Sequence, residues 1–153
     1  MNTELHNELA AILTPHQDAF NFLRAFGKLC HALDDIIDRD VIGVTDYTEL
    51  TLDAFGLAAD VYSCDFYRKN ATWLYPLVKN KHRIYSAGLA WEKSAVAWQA
   101  TYADVLRCGG DSSMMLAVLE HVCRLNPVDL RRIDNLIRED GWAEHHNSEG
   151  KPT

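Results

Sequence analysis

A chain of 153 residues with 48% hydrophobic side chains carries the apolar material of one continuous core, so a single domain is expected. A net charge of −7 excludes broad attraction to nucleic acid or anionic lipid, which a surface of this sign repels. No stretch of about 18 uninterrupted apolar residues predicts a membrane span, and the acidic start from Met1 to Thr14 lacks a secretory pattern, so a cytoplasmic protein is expected.

The first strong element follows Pro15. From Gln17 to about Asp38, Phe22, Ala25, Phe26, Leu29, Leu33, Ile36 and Ile37 recur at three- and four-residue spacing, which predicts a long amphipathic helix. Val41-Ile42-Gly43-Val44 should stop it, with Thr45 or Asp46 capping a second helix from about Tyr47 to Arg68. Asn70 is read as a break, Trp73 to Val78 as a short packed element around Pro76, and Lys79 to Arg83 as a solvated basic loop. A third long helix is expected from Ile84 to Leu106, stopping at Gly109-Gly110. Asp111 and Ser112 would cap a helix through Cys123, and Asn126-Pro127 would open a last helix reaching about Asp140. The fold expected is all-α, a single bundle of five or six helices over residues 1–144, with a polar tail over 145–153.

Asp34, Asp35 and Asp38 fall within one turn at the end of the first long helix. Carboxylates at a helix C-terminus oppose the dipole and repel one another, which magnesium would relieve because it takes oxygen ligands, several carboxylates and phosphate oxygens together. The bland reading is a solvated acidic helix end.

The segment Leu29-Cys30-His31-Ala32-Leu33-Asp34-Asp35-Ile36-Ile37-Asp38 resembles the first aspartate-rich motif of the class I isoprenoid synthases, most closely the squalene and phytoene synthase branch. Leu29 stands where that family has an aromatic, and His31 where it has arginine. Asp134-Asn135-Leu136-Ile137-Arg138-Glu139-Asp140 is similar to the second acidic motif, with glutamate at one acid position. Family members are about twice as long, so the chain would be a much shortened relative. The resemblance implies an isoprenoid-synthase-like bundle in which Asp34, Asp35 and Asp38 face Asp134, Glu139 or Asp140 across a cleft. These acids would hold magnesium, and His31, Arg39 and Arg138 would contact a prenyl diphosphate. Any activity would be that of a magnesium-dependent prenyl diphosphate transferase or lyase.

The other constellations are weaker. Glu92, Gln99 and Asp104 could point into a bundle interior, but surface placement is the commoner outcome. Asp53, Asp60 and Asp65 raise the all-α nucleoside triphosphate pyrophosphohydrolases as a further alternative, without that family's glutamate pairs. Cys30, Cys64, Cys108 and Cys123 are too scattered for a zinc knuckle or redox pair, and His145-His146 is too short a signal for a metal site. Ile84, Trp91 and Trp98 at seven-residue steps would form a seam for a partner helix, so a homodimer is expected. The rival to the enzymatic reading is accordingly a non-catalytic, homo-oligomeric helical interaction protein.

Overall fold

The computed structural model describes residues 3–149, and every regular element among them is an α-helix, as the periodicity predicts. In chain order these are α1 (Thr3–Leu13), α2 (Gln17–Asp38), α3 (Thr48–Ser63), α4 (Asp65–Glu92), α5 (Ala97–His121) and α6 (Pro127–Glu149). No helix among the described residues is long and apolar enough to cross a membrane. The side chains of Asp104, Cys108, Asp111, Asp140, His145 and His146, all singled out in the sequence, lie outside the described ones. The chain groups into two compact units, Gln17–Leu74 (the middle unit) and Met1–His16 with Tyr75–Thr153 (the terminal unit).

In the middle unit, α2 buries Ala19, Phe22, Phe26 and Leu29 along one stripe and packs against α3, which buries Ala54 and Val61. The Phe22 ring meets Phe66 at 5.2 Å, Phe26 at 5.9 Å and Tyr67 at 6.2 Å between centroids, making an aromatic centre for the unit. The end of α2 has an identifiable cause. Arg39 takes φ +54° while its N–H still reaches the Asp35 carbonyl at 3.0 Å, which is a left-handed cap built on arginine instead of the usual glycine. Gly43, at φ +82°, makes the following turn without steric cost. Asp46 then accepts the Thr48 N–H at 3.0 Å and the Thr48 hydroxyl at 2.6 Å, which starts α3 and holds the Asp46 carboxyl below its ordinary range.

The second predicted helix is divided at Cys64. That residue is extended (φ −65°, ψ 146°), and its sulfur accepts the Tyr67 N–H at 3.4 Å, so a thiol occupies the N-cap of α4. The predicted break at Asn70 is absent. Its side-chain amide donates to the Phe66 carbonyl at 2.9 Å and its oxygen accepts from the Trp73 indole at 3.0 Å, so Asn70 is spent within the helix. Accordingly α4 runs through Pro76 and the basic stretch Lys79 to Arg83, which is helix and not loop.

In the terminal unit, Leu5, Leu9 and Leu13 are the buried edge of α1. α5 and α6 pack together, with Met114, Val118 and Leu119 buried on one helix and Ile133 on the other. The expected single helix over 84–106 is interrupted before Ala97. The Ser94 hydroxyl accepts the Val96 N–H at 3.1 Å and donates to Gln99, taking a backbone donor that a continuous helix would use. Conversely, α5 passes straight through Gly109-Gly110, where a stop was expected. It ends at His121, and the turn that follows carries Arg124 at φ +56°, with the Leu125 N–H closing on the Leu119 carbonyl at 3.2 Å. The start of α6 is the one the sequence specifies. The Asn126 oxygen accepts the N–H groups of Val128 at 3.0 Å and Asp129 at 2.9 Å, with Pro127 at the first helical position.

α1 is fastened to α6 by Arg132, whose guanidinium donates to both oxygens of Glu8, one of these bonds measuring 2.7 Å. This guanidinium holds the Glu8 carboxyl below its ordinary range. A depressed folded-state pKa contributes stability that is present above the unfolded value, about 4.3, and is lost as pH falls through the folded value. Glu8→Gln should therefore lower the melting temperature modestly at about pH 7, and the gap to the parent should narrow progressively as the pH falls below about 4. A gap that widened on acidification would show that the pair does not act in this way.

Candidate functional site

The last turn of α2 presents Asp34 and Asp35 half-buried and Asp38 exposed, with His31 exposed one turn earlier. Residues one apart on a helix diverge by about 100°, so the Cα–Cβ bonds of Asp34 and Asp35 point apart, while Asp38 lies one turn on from both. Among the described residues no group of three or more His, Cys, Asp or Glu side chains is placed to hold a metal ion. Asp34 and Asp38, four residues apart, share one face of the turn. Arg39 has a structural role in the α2 cap, and its guanidinium lies over the Tyr47 ring at 5.9 Å from the centroid, a cation–π contact between the two ends of the loop.

The second acidic motif belongs to α6 in the terminal unit, whereas the first belongs to the middle unit. On α6 the Asp134 carboxylate accepts from Arg138 Nε at 2.9 Å, an i,i+4 pair that joins a candidate metal ligand to a candidate diphosphate contact. Glu139 is exposed, and the side chain of Asp140 is outside the described ones.

Asp134 also borders a groove of about 450 Å³ between α5 and α6, where Ser113, Glu120 and Arg131 are the other polar edges and Leu116 and Leu130 the apolar part. The groove is open to solvent.

The acids of the pyrophosphohydrolase alternative are also separated by the helix break. Asp53 and Asp60 are exposed on α3, but Asp65 opens α4 and is paired with Arg68, which holds its carboxyl below the ordinary range. Glu92 is exposed, and Gln99 accepts from Ser94. Cys30, Cys64 and Cys123 form no disulfide, and burial pushes Cys123 above its ordinary pKa, which makes it less nucleophilic.

The predicted aromatic seam takes a different form, since Ile84 and Trp91 lie on α4 and Trp98 on α5. The two indoles meet edge to face at 5.5 Å, and Tyr102 stands 5.9 Å from Trp91. Trp98 is 61% exposed, Tyr102 49% and Val96 45%, so the cluster reaches the surface.

A further surface lies on α3, on a different side of the helix from its acids. Leu52, Phe55, Ala59 and Tyr62 are all exposed, at 3-4-3 spacing beside Glu49, Asp53 and Asp60. That spacing was available as a signal. Comparison with protein-family models, with curated proteins and with solved structures gives no match for this chain.

Proposed function

We propose that this protein is a non-catalytic helical interaction protein that associates with a second copy of itself through the aromatic surface at the start of α5. The supporting observation is Trp98, 61% exposed and braced by Trp91, with Val96 and Tyr102 beside it. A large, rigid, amphipathic side chain held at the surface by a second indole is the kind of group that carries binding energy when a partner excludes water from it. The divergence of Asp34 and Asp35 and the Asp134–Arg138 pair favour this reading over a catalytic one.

Sedimentation velocity over a wide concentration range tests it. The parent chain is expected to dimerise, and Trp98→Ser to weaken the dimer by roughly 30-fold or more, the scale of an interface hot spot of about 2 kcal/mol. A parent that stays monomeric at the highest concentration overturns the proposal.

The second reading keeps the resemblance to the isoprenoid synthases, with magnesium and a diphosphate held at Asp34, Asp35 and Asp38. Its support is that two of these three carboxylates are half-buried on one turn. Melts with magnesium and pyrophosphate together separate the two readings. The interaction reading expects no coupled shift. The metal reading expects a gain of about 2.7 kcal/mol at roughly a hundred times the dissociation constant, abolished by the Asp34→Asn, Asp38→Asn double variant.

A further inference from the structure

The exposed face of α3 is distinct from the Trp98 surface and belongs to the other unit. Phe55 is 71% exposed and Leu52 56%, and the two adjoin on one side of the helix. With Ala59 and Tyr62 they occupy positions i, i+3, i+7 and i+10, the alternating three and four of a coiled-coil seam, over a length of about 15 Å. A seam of this period fits an α-helix, whose knobs repeat at the same interval.

Charge identifies what kind of helix. Glu49, Asp53 and Asp60 form a second exposed row on α3, with Asp53 and Asp60 turned about 100° round the helix from Leu52 and Ala59. Between Leu33 and Tyr62 the chain carries eight carboxylates and a single fixed cation, Arg39, which is engaged over Tyr47. A second copy would bring a like-charged row against this one, whereas lysine or arginine beside an apolar stripe would be attracted. Gly56 adds an independent observation. It lies between the apolar and acidic rows in the interior of α3, where glycine weakens a helix, and a Cβ there would meet nothing within 4 Å. A glycine at this position leaves room for close approach of a partner backbone.

We propose that this face of α3 is a docking site for a basic amphipathic helix of another protein, seated on Leu52, Phe55 and Tyr62 and oriented by Glu49, Asp53 and Asp60. Fluorescence anisotropy with the full chain tests it, using three labelled synthetic peptides of about 18 residues, or roughly five helical turns. One has leucine at heptad spacing in a lysine background, the second has the same composition scrambled, and the third replaces lysine by glutamate. The lysine heptad peptide is expected to bind about tenfold or more tighter than the scrambled one, a difference set by the seam and not by net charge. Phe55→Ser and Leu52→Ser should each remove that preference without changing the circular dichroism spectrum, because both side chains are already solvated. A Glu49→Lys, Asp53→Lys variant should transfer the preference to the glutamate peptide. Gly56→Ala should raise the melting temperature of the free chain and yet weaken peptide binding. Trp98→Ser should leave peptide binding unchanged, so loss of self-association and loss of docking are read separately. Equal affinity for the heptad and scrambled peptides, or indifference to Phe55→Ser, overturns the proposal. Self-association that is abolished by Phe55→Ser overturns it in favour of a second copy on this face.

Discussion

Replacing Phe22 with alanine is expected to destabilise the folded chain by about 3–5 kcal/mol, the cost of removing a large buried aromatic and leaving a cavity that its neighbours fill only in part. Phe22 is 1% exposed and touches rings from α2 and from the first turn of α4, so no single neighbour can move into the space without leaving another contact. With total stabilities of about 5–15 kcal/mol for single domains, a loss of this size brings the middle unit close to unfolding. Urea denaturation followed by helical ellipticity measures the loss, and hydrogen exchange should show it concentrated in α2 and α3. A cost below about 1 kcal/mol would mean that the aromatic centre is not what holds these helices together.

Pro76→Ala is expected to act in the opposite direction and stabilise the chain by up to about 3 kcal/mol. Pro76 lies inside α4, where its ring nitrogen cannot donate to the carbonyl four residues earlier, on Thr72. Alanine restores that donor, removes the ring clash and meets no crowding, because position 76 is exposed. The unfolded chain gains some freedom when proline is lost, which offsets about 0.4–1 kcal/mol of the benefit. A rise in melting temperature with unchanged or greater ellipticity is the expected result. A fall would show that α4 depends on the conformation proline imposes at this point.

The candidate sites were legible to different degrees for physical reasons. The acidic turn at Asp34, Asp35 and Asp38 is visible in the sequence because residues three and four apart share a helix face wherever the helix is placed. Whether such a turn converges with other donors depends on contacts between elements distant in the chain, which local spacing does not encode. The pairing of Glu8 with Arg132 is of this kind, since the two residues lie 124 positions apart and neither has a local signature. The surface on α3 lay between these cases. Its period was written in Leu52, Phe55, Ala59 and Tyr62, but the same pattern would describe a buried core stripe, and only the structure distinguishes the two.

By itself the sequence determined the all-helical character, the extent of α2 and the start of α6. Each depends on chemistry within a few residues: the apolar period from Phe22 to Leu29, and the Asn126 side chain accepting two backbone donors beside Pro127. Tertiary structure decided where helices persist through weak positions. Gly109-Gly110 and Pro76 lower helix propensity locally, but α5 and α4 continue through them. For α5 the reason is visible, because the residues that follow the glycines, Met114, Val118 and Leu119, are buried where α5 packs on α6. Burial of a few such side chains at roughly 1.5–3 kcal/mol each outweighs a glycine cost of about 1 kcal/mol per residue. At Cys64 the balance ran the other way. A thiol seldom caps a helix, but an extended residue there lets Phe66 turn inward to meet Phe22, and that contact is made between helices that no local reading of either segment brings together.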